Sequence, residues 1–164
     1  MGGLDVPPAI SGLRRQLLLT RLVLAFEGRA FDGERASPEQ AAGLASELAR
    51  LVDQVETERL DFSRIETLLP FEKPRHWEKV LEFLSIVTET WPTVLAEEGA
   101  IDPSRRRNLL LQAQADLWRK APPKGLVIAA GSTGTIPATA DLLDVVAGID
   151  QGAVVLPGLD RGLD

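Results

Sequence analysis

Apolar side chains recur at helical spacing through most of the first 121 residues. The clearest stretch begins at Ser37-Pro38-Glu39-Gln40, where an N-cap serine, a first-turn proline and a glutamine three residues after the serine form a capping box. The apolar positions after it follow the i, i+3, i+4, i+7 spacing of an amphipathic helix, which must pack against a partner. These positions are Ala41, Leu44, Ala45, Leu48, Leu51, Val52 and Val55.

The segment 10–26 is apolar on most of its circumference, which is typical of a helix buried in a bundle. Arg14, Arg15 and Arg21 interrupt the apolar positions and are expected on its solvent side. The side chains predicted to pack inward include Leu13, Leu17, Leu18, Leu22 and Leu24.

Prolines divide the remaining helical sequence. A long helix is predicted after Pro74, and Pro92 interrupts it; because proline has no N–H to donate, we expect a kink or a restart there. A last helix is predicted to begin with Asp102 as N-cap and Pro103 at its first position. Its expected inward side chains are Leu109, Leu110, Ala113 and Leu117.

The pattern changes after residue 122. Leu126–Ala130 is a short continuous apolar run that predicts a parallel strand buried on both faces, Pro137 suits the first turn of a helix, and Ala153–Leu156 predicts a second strand. The predicted fold is therefore mostly α with a small α/β element, in a helical segment 9–121 and a strand-helix-strand segment 122–164. Two strands make no stable sheet alone. Either they pair within a small, mostly helical domain, or the natural protein supplies more strands.

Composition limits the possible functions. The chain has 164 residues, no cysteine, and 18 Lys+Arg against 24 Asp+Glu, for a net charge of -6. This charge argues against a broad nonspecific nucleic-acid surface, and the lack of cysteine removes disulfides, thiolate metal sites and iron–sulfur clusters from this chain. Charges such as Arg21 and Glu27 keep every apolar run well short of the roughly 20 residues that a membrane span needs. The N-terminus also lacks the order of basic, apolar and small residues of a signal peptide, so we expect a cytoplasmic protein with no membrane partner.

The turn Gly131-Ser132-Thr133-Gly134-Thr135 is the candidate ligand site. It lies at the predicted carboxyl end of the first strand and the start of a helix, where backbone N–H groups and hydroxyls can hold a phosphate. It lacks the lysine of a P-loop and does not match the dinucleotide-binding glycine pattern. The alternative is a tight turn, capped by Thr133 or Thr135, whose glycines serve backbone angles alone.

Arg105, Arg106 and Arg107 form the densest basic run and are candidates for contact with DNA phosphates or an acidic partner. Three consecutive arginines spread around a helix, so a solvated face is the alternative. His76 is the only histidine and has no second ligand or nucleophile beside it in sequence, so neither a metal site nor a catalytic residue is predicted there.

The order of features in LRRQLLLTRLVLAF, ELARLVDQVETERLDFSRI, HWEKVLEFLSIVTETWPTVLAEEGAIDPSRRRNLLL, PPKGLVIAAGSTGTIPATADLLDVV and GAVVLPGLD resembles the alphaproteobacterial form of AddB. AddB is a subunit of the AddAB helicase–nuclease, which processes double-strand DNA breaks for recombination. The resemblance covers nearly the whole chain, and GSTGTIPATADLL to LPGLD is its most specific part.

The resemblance implies an internal piece of a larger protein, with residues 9–121 as a helical insertion and residues 125–160 as a return into a RecA-like core. The strand Leu126–Ala130 would match the one that ends in an Asp-Glu pair in active helicases. Ala130-Gly131-Ser132 stand there instead, so no catalytic residue carries over and no cofactor is expected in this segment. In the family, ATP with magnesium and an iron–sulfur cluster are bound elsewhere.

The resemblance thus predicts a noncatalytic, helicase-like segment that scans DNA or contacts an AddA-type helicase–nuclease subunit. Two other functions stay open from the residues alone. One is a separate nucleotide- or phosphate-binding enzyme that uses the turn at residues 131–135, and the other is a helical protein-interaction module that uses the arginines at 105–107.

Overall fold

The fold comes from a computed structural model that describes residues 6–26, 37–62 and 75–158, with residues 75–78 described as backbone only. Helices make up most of this part of the chain, and one two-stranded parallel sheet follows them, so the predicted fold class is confirmed. The elements are α1 (Gly12–Ala25), α2 (Pro38–Thr57), α3 (Arg75–Ser85), a π-helical turn (Ile86–Thr90), α4 (Trp91–Glu97), α5 (Pro103–Lys120), β1 (Val127–Ala130), α6 (Pro137–Ala147) and β2 (Gly152–Val155).

The chain divides into two compact units, residues 7–106 and residues 107–158, with Val6 grouped with the second. The dividing point falls inside α5. The sequence placed a boundary fifteen residues later, between segments 9–121 and 122–164, and this division of the natural protein into domains stays a prediction.

The unit 7–106 is built on the pair α1 and α2. The capping box that opens α2 is present: the Ser37 hydroxyl accepts from the Gln40 N–H, and the Gln40 side chain accepts from the Ser37 N–H. The stripe of α2 faces inward as its spacing predicted. The buried core of this unit contains Ile10, Leu18, Leu19, Val23, Ala41, Ala45, Leu48, Val52, Ile86, Val87, Trp91 and Leu95.

The predicted orientation of α1 is only partly right: Arg14 and Arg21 are exposed and Leu18 is buried as expected, but other positions differ. Arg15, expected on the solvent side, is only 7% exposed, whereas Leu13 and Leu17 are 73% and 57% exposed. The helix presents Leu18, Leu19 and Val23 to the core. Apolar residues surround α1 on nearly every side, so their spacing alone does not fix its buried face.

The α-helical hydrogen-bond pattern is interrupted just before Pro92, as the sequence predicted, but the chain stays helical there and does not restart. The π-helical turn Ile86–Thr90 precedes it, and the Trp91 N–H donates to the Ile86 carbonyl, five residues back. Pro92 has no N–H to donate to the Thr88 carbonyl, so the α-helical hydrogen bond is missing at this position. The wider π-helical hydrogen bonds connect α3 to α4 there. Ile86, Val87 and Trp91 are all buried on this part of the core.

The unit 107–158 contains a β-α-β element. Strands β1 and β2 run parallel, with Val127 opposite Gly152 and Ala130 opposite Val155, and α6 connects them. Pro137 occupies the first turn of α6, as the sequence predicted, and Ala138, Val146 and Ile149 are buried. These strands therefore pair with each other.

Gly152 is required by the closeness of α6 to β2. A Cβ placed on Gly152 would overlap the carbonyl oxygen of Val146, which belongs to the backbone and has no alternative rotamer. Only glycine allows the chain to turn from α6 into β2 at this separation.

The prediction that β1 is buried on both faces is wrong for the described structure. Val127 and Ala129 are half-buried, and Ile128 and Ala130 alternate with them on an exposed face, with Ile128 59% exposed. Val155 of β2 is 56% exposed. One side of the sheet is covered, and the other presents apolar side chains to solvent.

Helix α5 follows its predicted packing only in part, since Leu110 and Ala113 are half-buried. Leu109 and Leu117, expected inward, are 41% and 53% exposed, whereas Asn108 and Ala115 are buried.

Among the described residues, no helix has both the length and the apolar character needed to cross a membrane.

Candidate functional site

The turn at residues 131–135 joins the end of β1 to the approach of α6. Gly131 and Gly134 have φ angles of +81° and +69°, in the left-handed region that favours glycine. The Gly134 N–H donates to the Ser132 hydroxyl at 3.3 Å, and the Thr133 hydroxyl lies 3.4 Å from that of Thr135. The glycines are needed for the backbone path, and the side chains of the turn bond to one another.

The N-terminus of α6 has few free donors. Its N-cap is Ile136, with no side-chain cap, so the expectation that Thr133 or Thr135 caps this helix is wrong. Pro137 has no N–H, and the N–H groups of Thr139 and Ala140 both donate to the Ile136 carbonyl at 2.9 Å. Phosphate binding by this turn stays a prediction, and the geometry gives it little support.

The three arginines of α5 do not form one surface. The Arg105 side chain is 59% exposed, with Nη1 3.9 Å from Glu56 Oε1. Arg106 is half-buried, and its Nε donates to the Pro7 carbonyl at 3.1 Å. Arg107 is exposed. Successive residues turn by about 100° around a helix, so the run spreads over its circumference; a contact with DNA or a partner stays a prediction.

A buried ionic cluster, which the sequence did not predict, lies in the unit 7–106. Arg15 places Nε 2.8 Å from Asp102 Oδ1 and donates from Nη1 to Asp53 Oδ2 at 2.9 Å and from Nη2 to the Ala49 carbonyl at 3.2 Å. The Trp91 indole donates to Asp102 Oδ2 at 2.9 Å. One guanidinium thus connects α1, α2 and the residue before α5.

Asp102 is the most deeply buried carboxylate of this cluster, at 3% exposure. Burial raises its pKa above the usual value, and the charge of Arg15 and the hydrogen bond from Trp91 oppose that rise. Ser104 extends the cluster by donating from its hydroxyl to Asp53 Oδ1 at 2.9 Å. The cluster holds α1, α2 and the start of α5 together.

A cavity of about 500 Å³ lies beside this cluster, between the C-terminal half of α2 and α4. Its walls are mainly apolar, and the π-helical turn contributes to them through Val87 and Thr88. Such a volume is within the range of small-molecule sites. The other lining residues are Val52, Val55, Glu56, Leu60, Asp61, Phe62, Trp91, Pro92, Leu95, Ala96, Ala100, Ile101, Asp102 and Arg105.

Glu56 brings a half-buried charge to the wall of this cavity. Burial raises its pKa, the nearby Arg105 lowers it, and Asp102 raises it. Asp61, Asp102 and Arg105 also line the cavity, and Arg15 Nε lies 2.8 Å from Asp102 Oδ1. The cavity therefore has an apolar body with both acidic and basic groups in its wall.

No group of three or more metal-ligating side chains occurs among the residues described in 6–26, 37–62 and 79–158. His76 lies in the first turn of α3, and its side chain is outside the described residues.

Sequence reasoning missed both the ionic cluster and the cavity. A partial signal was present: Asp102 precedes a proline-led helix and was assigned a local capping role, whereas its side chain reaches Trp91 and Arg15. Long-range pairing of this kind leaves no spacing pattern along a chain.

Protein-family models, curated protein sequences and solved structures were compared with the chain, and none of them matches it.

Proposed function

We propose that this chain is a noncatalytic, helicase-like segment of a double-strand break repair helicase–nuclease subunit, acting through contact with an AddA-type partner subunit or with DNA. The observation that carries the proposal is the bare apolar side of the β1–β2 sheet. The resemblance to AddB supplies the repair context.

The exposed side of the sheet suits a fragment of a larger core. Parallel sheets are normally covered on both sides, because their crossover helices lie on both faces. Here Ile128 and Val155 are more than half exposed, and Leu126 just before β1 is 69% exposed. A two-stranded sheet is marginal in water. Additional strands and a second layer of helices, as in a RecA-like core, would cover this surface.

The end of β1 supports a noncatalytic role. Catalytic carboxylates at the carboxyl end of this strand would hold magnesium in an active motor, and Ala130, Gly131 and Ser132 stand there instead. The N–H groups at the start of α6 are mostly occupied by the Ile136 carbonyl. A role in DNA scanning or subunit contact needs neither catalytic carboxylates nor free N–H groups at this position.

The direct test uses forked DNA and the partner subunit. The 164-residue chain is titrated with fluorescently labelled forked DNA, and in parallel is mixed with an AddA-type subunit and analysed by co-purification. We expect saturable binding to at least one of them. A folded chain that binds neither would overturn the proposal.

The sheet surface is tested separately in the natural subunit. Ile128→Glu places a charge on the bare apolar side, and we expect it to prevent assembly of the surrounding core. The matched control is Leu117→Glu, at a side chain of α5 that is 53% exposed. Equal loss of assembly in both variants would show that the sheet surface has no special role.

The full open reading frame gives an independent test. If the chain is an internal segment of an AddB-like subunit, the natural polypeptide continues into a nuclease region that contains cysteines. A reading frame without that region would remove the repair context.

A further inference from the structure

Helix α1 has a second apolar stripe, on the side opposite to the one that packs in the core. Leu13, Leu17 and Leu24 belong to this stripe and are 73%, 57% and 44% exposed. Single exposed leucines are common on protein surfaces, whereas aligned ones that form a patch mark interaction sites. Neither the core of the unit 7–106 nor the proposed function uses this stripe.

The spacing of the stripe suits contact with another helix. Leu13, Leu17, Thr20 and Leu24 follow one another at intervals of four, three and four residues, which is the a/d spacing of helices that pack side by side. The Thr20 hydroxyl donates to the Gln16 carbonyl at 2.8 Å, so this polar side chain already has a partner within α1. At about 100° per residue, the four positions lie within about 60° of the helix circumference. Such a narrow seam is typical of helix–helix contact, whereas a helix on a membrane surface buries a whole face in lipid.

The charges beside the stripe indicate which kind of helix it accepts. Helix α1 contains three arginines and no acidic residue. Arg15 belongs to the buried ionic cluster, and Arg14 and Arg21 are exposed along one side of the stripe. Arg14 bonds to Glu98, and the pKa of Glu98 is lowered by this hydrogen bond and also by the charge of Arg21. Arg21 forms no ion pair of its own with the residues that the structure describes, so two guanidinium groups share the Glu98 carboxylate.

We propose that the outer face of α1 docks an amphipathic helix of a partner protein, whose apolar side chains pack on Leu13, Leu17 and Leu24 and whose acidic side chains face Arg21. In a second copy of this chain, α1 has no carboxylate to place opposite Arg21, so charge favours a different polypeptide. The surface is on α1 and not on the bare side of the sheet, so this proposal and the proposed function are tested separately.

Two synthetic peptides of about three heptads serve as probes, with leucine at every a and d position. One has glutamate at every e and g position and the other has lysine there, so repulsion between like charges keeps each peptide from pairing with itself. Binding to the ¹⁵N-labelled chain is followed in ¹H–¹⁵N spectra through the backbone signals of α1, with those of α6 as a reference. We expect the glutamate peptide to bind at least about threefold more tightly than the lysine peptide, a modest factor because exposed ion pairs contribute little.

Two pairs of variants separate the contact on α1 from general effects of surface composition. Leu17→Asn interrupts the stripe without adding a charge and should weaken binding of both peptides at least about tenfold, whereas Leu117→Asn, at a similarly exposed leucine of α5, should not. Arg21→Glu should remove the preference for the glutamate peptide, whereas Lys120→Glu, also at an exposed basic residue, should keep it. All four side chains are exposed in the wild-type chain, and circular dichroism confirms that the variants are folded.

Equal affinity for the two peptides, equal effects of Leu17→Asn and Leu117→Asn, or the absence of shifts in α1 would each overturn the proposal. Two other occupants of the stripe give results of their own. Self-association of the free chain that Leu17→Asn prevents would assign the stripe to a second copy. Sedimentation of the chain with phosphatidylglycerol vesicles, lost in Leu17→Asn, would assign it to a membrane. Either result would also overturn the proposal, and none of them bears on forked DNA.

Discussion

Replacement of Arg15 by methionine tests the buried ionic cluster. The substitution keeps an unbranched stem of similar length and removes the guanidinium that contacts Asp102, Asp53 and the Ala49 carbonyl. Asp102 is then left 3% exposed with the Trp91 indole as its remaining contact in the cluster. Removing one partner of a buried ion pair costs about 3–5 kcal/mol, because the other charge stays buried.

The second carboxylate adds little to this cost. The Asp53 side chain is 40% exposed, so water can replace the lost contact, and Ser104 still donates to it. We therefore expect Arg15→Met to lower the free energy of unfolding by about 3–5 kcal/mol at neutral pH. That is a large part of the 5–15 kcal/mol typical of a folded domain. Urea unfolding followed by far-UV circular dichroism measures the difference.

The neighbouring Arg14 provides the matched control. It is the same residue type on the same helix, and it makes a two-bond contact with Glu98, at 3.0 Å and 2.7 Å, on the surface. Exposed ion pairs contribute little because water and salt screen them. Arg14→Met should therefore leave the urea midpoint nearly unchanged. Equal destabilisation by the two substitutions would refute the role assigned to burial.

The double variant Arg15→Met/Asp102→Leu separates the loss of the pair from the loss of packing. It removes both charges, so no carboxylate remains buried without its cation. We expect it to recover about 1–3 kcal/mol relative to Arg15→Met alone. A double variant as unstable as the sum of the two single variants would show that the pair has no coupling.

The pH dependence of Arg15→Met gives a signed test of the same cluster. Burial already raises the pKa of Asp102, and removal of Arg15 takes away the charge that opposes the rise. A carboxyl group whose pKa is higher in the folded state gains a proton on folding, so the folded state loses stability as the pH rises from the unfolded pKa, near 3.8, through the folded one. The loss of unfolding free energy caused by Arg15→Met should therefore be smaller at about pH 5 than at about pH 7. If the loss of stability instead grew as the pH fell, Asp102 would not have a raised pKa in the variant.

The remaining predictions concern packing and caps, and each is measured by urea or thermal unfolding. Gly152→Ala should destabilise the β-α-β unit by more than about 2 kcal/mol, because its new Cβ would overlap a backbone carbonyl of α6. Gly43→Ala is the control: it lies at an open position of α2 and should stabilise the protein by about 0.5–1 kcal/mol. The opposite order would refute the close approach. Leu48→Ala should lower the free energy of unfolding by about 2–5 kcal/mol, because Leu48 is 3% exposed, and Leu13→Ala should lower it much less, because Leu13 is 73% exposed. Similar losses in the two variants would mean that Leu13 is buried, as the sequence predicted. Ser37→Ala should cost about 1 kcal/mol through loss of the capping box, and no loss would mean the cap is not formed in solution.

The amphipathic elements were predictable from the sequence, and the reason is visible in α2. Its cap, its first-turn proline and its apolar stripe all indicate the same start and the same buried face. The orientation of α1 was not predictable, because its leucines surround the helix and the position of Arg15 depends on Asp53 and Asp102, far along the chain. Local pattern fixes a face only where polar and apolar positions are segregated.

The cavity was beyond prediction for a related reason. Its wall is assembled from the end of α2, the turn after it, the π-helical turn and α4. Proline chemistry did predict an interruption of the α-helical pattern at Pro92. It did not predict that the interruption would be a π-helical turn beside an open space, since that depends on what packs around it.

The π-helical turn also affects how this chain can change length. A hydrogen bond five residues back encloses one residue more than the α-helical bond does, so Ile86–Thr90 holds a residue that regular helix would not need. Loss of one residue there would return the backbone to α-helical spacing and keep α3 and α4 facing the core, but it would also place Pro92 inside a regular helix, which costs about 3 kcal/mol. A deletion in the middle of α2 would instead rotate every following side chain by about 100°. Among the described helices of the unit 7–106, this turn is thus the position where a single-residue deletion preserves the buried faces on both of its sides.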